Sequence, residues 1–374
     1  MAMNIDRIEE GDLTEEDNHN QEEESSKIKS QKLMKWGLLL LLSCICSFIG
    51  VTGGPLLLRL YFLHGGSRKW LSSWLQMAGF PILIIPLTIL YAKRDRSLPN
   101  IEFFASRKLL FYASLIGLVQ GIDNFMYCYG LSFLPVTTSS LLVTTQLAST
   151  SFISFLWVKQ KFTPYTINAI VVITMDSILL GIRRAGDRPP GVTNSQYLLG
   201  FFISIAAAAI LGFILVSTQV AYAKANQGMT YTIVLQFQVC LAFFATLICT
   251  IGSLINKDFS EMQREASDFD LGAKTYYLVL ASNMVVWQLM FIGRVGIIFC
   301  TSSLFAGVMS ASLLPISQIA AVITFHENFT GEKGMALALA LWGFTSYFYG
   351  SYRNSRRQSP KPHEATERDT QPTK

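Results

Sequence analysis

Charge is what this chain has least of: charged residues are 15% of 374, hydrophobic residues 51%, and mean hydropathy is +0.38. A soluble domain of this size needs a polar surface that such a composition cannot supply. Histidine is scarce as well. The four, His19, His64, His326 and His363, all lie outside the apolar runs. The six cysteines, Cys44, Cys46, Cys128, Cys240, Cys249 and Cys300, lie inside them without C-x-x-C spacing, so neither a disulfide framework nor a metal cluster is expected. Within the runs Asp123 and Asp176 are the only carboxylates, and no Lys or Arg falls in the middle of a run. An intramembrane enzyme would need a nucleophile with its base, an H-E-x-x-H metal set or a carboxylate pair, so no catalytic residue, cofactor or metal is expected. The net charge of +5 is spread over tails and connections rather than one face, which excludes a nucleic-acid footprint. No signal peptide precedes the first apolar run, which starts at Trp36 and is too long for a signal segment.

What is present is a series of uncharged runs long enough to cross a hydrocarbon core of about 30 Å. They predict an all-α integral membrane protein with ten spans, at 36–60, 71–91, 109–131, 136–157, 164–182, 198–223, 230–255, 275–293, 297–325 and 334–352. Residues 1–35, acidic early and basic late, and 353–374 read as disordered tails. An even number of spans puts both termini on one side, and the excess of Lys and Arg there makes that side cytoplasmic.

Sliding the chain by 163 residues brings Gly37 onto Gly200, Gly65 onto Gly228, Gly130 onto Gly293 and Thr138-Ser139-Ser140-Leu141 onto Thr301-Ser302-Ser303-Leu304. A repeat of five spans must enter the membrane from the opposite side. The halves 36–182 and 198–352, joined by the loop 183–197, therefore read as inverted-topology repeats. That architecture implies alternating access to a site near the bilayer midplane.

Several stretches occur in a specific order: Tyr61-Phe-Leu-His-Gly-Gly after a Gly-Gly-Pro helix, Ala78-Gly-Phe-Pro, Gly121-Ile-Asp-Asn, Leu134-Pro-Val-Thr-Thr-Ser-Ser-Leu, Val158-Lys-Gln-Lys-Phe-Thr-Pro and Leu341-Trp-Gly-Phe-Thr-Ser-Tyr-Phe-Tyr-Gly. Together, over residues 36–352, they resemble the plant purine permeases of the drug/metabolite transporter superfamily. The resemblance implies a ten-helix secondary transporter in the plasma membrane, importing purine bases, cytokinins and related heteroaromatics, generally with protons. Relatives handling alkaloids and other nitrogen heterocycles leave the substrate open. A non-transporting receptor is the reading from a different class. Many members carry Glu where this chain has Gln236 and Gln318, so two carboxylates of the pattern are missing.

A charge at a helix centre costs roughly 2.5–3.5 kcal/mol on insertion scales, which asks what Asp123 is for. Gln120, Asp123, Asn124 and Tyr127 follow i, i+3, i+4, i+7 and share one helix face. At the repeat offset Gln120 meets Asn283 and Asn124 meets Trp287, but Asp123 meets Val286. Packing in the second half thus needs no carboxylate, and Asp123 becomes the proton-coupling candidate. A helix contact or a pairing with Arg59 is its structural alternative; Asp176, near a helix exit, is read as structural.

A flat purine needs aromatic faces for its plane and amides for its edge. Trp74, Gln76, Gln120, Asn124, Tyr127, Gln146, Gln236, Gln238, Asn283, Trp287 and Gln288 supply them, each equally able to serve as interhelical contact. Gly53, Gly54 and Pro55 are hinge candidates. With no basic residue expected in mid-span, neutral or cationic substrates are favoured over anions. Asn328 heads a glycosylation sequon on the predicted outside, in a loop too short for occupancy to be expected.

Overall fold

The computed structural model describes residues 6–92, 104–143, 145–159, 163–182, 191–225, 230–326 and 331–358, and is helical throughout these segments apart from turns and short connections. The helices are α1 (Asp6–Leu63), α2 (Lys69–Ala78), α3 (Ile84–Ala92), α4 (Arg107–Phe133), α5 (Val136–Val143), α6 (Gln146–Trp157), α7 (Pro164–Ile182), α8 (Asn194–Ala223), α9 (Tyr231–Ile255), α10 (Asp258–Asp268), α11 (Ala273–Cys300), α12 (Ser303–Phe325) and α13 (Gly331–Gln358). A 3-10 turn over Phe80–Leu83 joins α2 to α3.

Six helical stretches among the described residues are long and apolar enough to cross a membrane: Trp36–Leu63, Lys69–Ala92, Arg107–Phe133, Asn194–Ala223, Tyr231–Ile255 and Ala273–Cys300. The other four expected spans fall on α5 with α6, α7, α12 and α13. Large apolar side chains such as Phe111, Leu115, Phe152, Phe202, Leu278 and Ile323 point outward, the surface expected of helices solvated by lipid.

Side-chain caps set several helix starts. Ser106 accepts from the Leu109 N–H, Thr230 from Ile233 and Ser302 from Phe305. Thr193 and Gln196 form a reciprocal capping box, so α8 begins at Asn194, inside the stretch expected to be the connecting loop. Two further differences concern the tails. The backbone is helical from Asp6, ahead of the first apolar run, and α13 continues to Gln358. The Glu, Gln and Lys residues of the N-terminal stretch are good helix formers, and an apolar helix that follows removes the nucleation cost. Residues 359–374, Asn328 and the side chain of Asp176 lie outside what the structure describes.

Helix packing follows the repeat. Helix α1 packs on α11, and their counterparts at the 163-residue offset, α8 and α4, pack on each other. The contacts of α4 with α9 and of α6 with α8 recur as those of α11 with α2 and of α12 with α1, while α2 with α9 and α7 with α13 map onto themselves. Helices α4 and α11 therefore hold equivalent central places, each wedged between helices of the opposite half.

Candidate functional site

A cavity lies among α1, α4, α8 and α11, with α2, α5, α6 and α12 each adding to its wall. From α4 it receives Gln120, Asp123, Asn124 and Tyr127, the four residues whose spacing predicted a shared face. From α11 come Trp287, Met290, Phe291 and Arg294, at the same i, i+3, i+4, i+7 spacing. Val51 and Pro55, Gln76, Val143 and Gln146, Ala207 and Ala208, Leu211 and Ser310 complete the wall.

The α4 face is tied together internally. The Gln120 Nε2 donates to Asp123 Oδ2 at 3.1 Å and to Asn124 Oδ1 at 2.8 Å, which holds both side chains on the cavity side. Asp123 is 4% exposed and its Oδ1 has no hydrogen-bond partner; the Asn124 Nδ2 is likewise unpartnered. Gln76 reaches the same helix, donating to the Asn124 carbonyl at 3.4 Å and to Cys128 Sγ at 2.9 Å. Gln146 is fully buried with neither amide atom bonded. Buried polar atoms in this state carry a desolvation cost of about 1–3 kcal/mol each until something bonds them.

The aromatic wall is Tyr127 against Trp287, edge to face at 5.6 Å, with Phe291 6.2 Å beyond. Trp287 sits deep because Gly54 makes room: a Cβ on Gly54 would stand 2.9 Å from the indole. Helix α1 continues through the hinge candidates Gly53, Gly54 and Pro55 without a break, and Gly53 faces Val286. Pro55 withholds the hydrogen bond that a residue there would donate to the Val51 carbonyl, and both residues line the cavity. The discontinuities lie elsewhere, at the Phe80–Leu83 turn and between α5 and α6. In the second, the Thr145 N–H and hydroxyl both donate to the Leu142 carbonyl, and the flanking Val143 and Gln146 face the cavity.

Four of the substrate candidates stand away from the cavity. Trp74 donates to Thr250 Oγ1 at 3.0 Å and packs on Phe259. The Gln236 Oε1 accepts from the Ala105 N–H at 2.9 Å beside the start of α4, a structural use for a position where a carboxylate was thought missing. Asn283 donates to the Val279 carbonyl within its own helix. Gln288 is buried with both amide atoms unbonded but faces α2 near Gly79. Gln238 and Gln318 are buried off the cavity too.

One expectation is overturned. Arg294, read as lying in a connection between spans, sits inside α11 at 6% exposure and faces the cavity. Its Nη2 makes only a long contact to Met290 Sδ at 3.8 Å, its guanidinium lies 5.7 Å from the Phe291 ring, and Nε and Nη1 are unpartnered. The expected spans 275–293 and 297–325 left it between them. In the structure Gly293 lies against the α1 backbone, where a Cβ would come within 2.5 Å of the Ser47 nitrogen. Asp123 and Arg294 line the same cavity, one anionic and one cationic when ionised, without a hydrogen bond between them. The ground for favouring neutral or cationic substrates, that no basic residue faces the cavity, is thereby removed. Among the described residues no cluster of His, Cys, Asp or Glu could hold a metal ion.

Comparison with known proteins places the chain among membrane transporters. Residues 38–357 match the model of a family described by purine nucleobase transmembrane transport. The chain is 45% identical over 320 residues to purine permease 3 of Arabidopsis thaliana, covering 84% of this chain and 91% of that one. It is 42% identical over 335 residues to purine permease 2 of the same plant, covering 86% and 94%, and 36% identical over 300 residues to its probable purine permease 4, covering 79% and 78%.

Proposed function

The chain belongs to the purine nucleobase transmembrane transport family, and from that premise we propose that it is a proton-coupled importer of purine bases, cytokinins or related heteroaromatics. It is a multi-pass membrane protein, and the relatives it matches are named as permeases rather than enzymes. The finer reading gives it ten spans in two inverted halves, both termini in the cytoplasm and a place in the plasma membrane. The paired helix contacts at the repeat offset support the inverted halves, since a site between equivalent helices can open to either side by rocking one half against the other.

The observation that carries the function is the cavity between α4 and α11. It offers aromatic faces from Tyr127 and Trp287, amide edges from Gln76, Gln120, Asn124 and Gln146, and a buried carboxylate with a free oxygen. The amide and aromatic groups hold the base. Asp123 takes the proton, and the difference in affinity of proton and base for the two access states supplies the direction. Protonation of Asp123 does not leave the cavity neutral, because Arg294 remains; the deprotonated pair is the neutral form.

The test is uptake of labelled adenine by yeast lacking its own purine transporters, at two external pH values. Uptake should rise as external pH falls. Asp123→Asn should flatten that dependence and abolish accumulation while sparing exchange of internal for external base. Unchanged pH dependence in this variant removes Asp123 from coupling, and no uptake across purines and cytokinins would refute transport of this class. Other nitrogen heterocycles and alkaloids are separated by competition in the same assay.

A further inference from the structure

We propose that Arg294 is a specificity-determining residue that donates to a ring nitrogen of the transported base, so that the substrate must present an unprotonated acceptor edge to α11. The inference rests on the transport reading above and names the chemistry its cavity selects.

The argument begins with an unmet need. A guanidinium has five N–H donors and no acceptor, and its burial is tolerated only where partners surround it. Arg294 is buried, yet the one atom its donors approach is a thioether sulfur 3.8 Å away, a poor acceptor. Met290 and Phe291, the residues it meets on its own helix, offer no oxygen or nitrogen acceptor in their side chains. Asp123, facing the same space, has the opposite lack: its Oδ1 can accept but no donor reaches it. A neutral purine carries both complements, a ring N–H and ring nitrogens with free lone pairs, on one plane. Seated between α4 and α11, it would satisfy the carboxylate and the guanidinium together.

The repeat sharpens the assignment. Asp123 maps to Val286, and Arg294 maps back to Leu131, so each half contributes one charge that its counterpart lacks. Helix packing in neither half needs its charge, whereas a ligand bridging the halves uses both. A residue serving only to offset Asp123 would show no preference for any one atom of the base, and this separates the two roles.

The experiment crosses ligand atoms with the residue. Inhibition of labelled adenine uptake is measured for adenine and its 1-deaza, 3-deaza and 7-deaza analogues, each exchanging one lone pair for a C–H. Wild type, Arg294→Met and Arg294→Lys are compared as full chains. Against wild type, one analogue should compete roughly tenfold or more weakly than adenine, the loss expected of one charge-assisted hydrogen bond. Against Arg294→Met the same analogue should equal adenine, and Arg294→Lys should restore part of the gap. If Met at this position prevents insertion, Arg294→Lys with its narrower gap decides. An identical analogue ranking in all three proteins, or no penalised analogue in wild type, overturns the proposal. Absence of purine uptake by wild type instead defeats the transport reading, so the two failures are distinct.

Discussion

Trp287 shows how one residue is fixed by its neighbours before it can meet a ligand. It packs on Tyr127 and Phe291 and fills the space that Gly54 leaves. Trp287→Ala should destabilise the detergent-solubilised protein by about 3–5 kcal/mol, read as a lower Tm. Trp287→Phe should insert normally but raise the KM for adenine uptake, and an unchanged KM would reduce Trp287 to packing. Gly54→Val should cost insertion and uptake, and Trp287→Leu in the same chain should recover part of both, because the two residues share one space. At this scale the sequence was most legible on α4, where Gln120, Asp123, Asn124 and Tyr127 stand out as polar letters in an apolar run. Arg294 was misplaced because the spans were drawn at 275–293 and 297–325, on either side of it. Its signal was the spacing from Trp287 through Met290 and Phe291, which repeats the α4 pattern seven residues long. Trp74, Gln236, Asn283 and Gln288 were overcalled, since an amide or indole in a membrane helix bonds a neighbouring helix as readily as a ligand.

Among the elements, α10 was invisible to a hydropathy reading, being short and polar. It nevertheless anchors three others. Glu265 accepts hydrogen bonds from the Tyr61 hydroxyl at 2.7 Å, the Ser67 N–H at 2.7 Å and hydroxyl at 3.1 Å, and the Tyr276 hydroxyl at 2.9 Å. Asp258, fully buried, accepts from the Leu71 N–H in the first turn of α2 at 3.0 Å, with Arg68 4.0 Å away. The end of α1, the start of α2 and the start of α11 are thereby held to one short helix. Glu265→Ala leaves the Tyr61 and Tyr276 hydroxyls without their acceptor and should lower stability by about 1–3 kcal/mol, measured as a Tm shift of the purified protein. An unshifted Tm would mean that other contacts hold these ends.

For the whole molecule, the offset of 163 residues maps the pairing of α1 with α11 onto that of α8 with α4, while it says nothing of the helical stretch from Asp6. Composition alone predicts disorder there, and only continuity with an apolar helix makes the difference. The counter-charged cavity has a consequence for energetics across the bilayer. On the proposed coupling through Asp123, the empty carrier, with Asp123 ionised and Arg294 cationic, would reorient with no net charge between these two cavity residues; with the proton and a neutral base aboard, they would carry one positive charge. The resting membrane potential, worth about 2.3 kcal/mol per charge per 100 mV, then acts on the loaded inward step and leaves the empty return untouched. Under voltage clamp, substrate-induced inward current at saturating adenine should grow with hyperpolarisation when loaded translocation limits turnover. Removing the cation by Arg294→Met makes the loaded form neutral and the returning form negative, which moves the voltage dependence to the opposite half of the cycle.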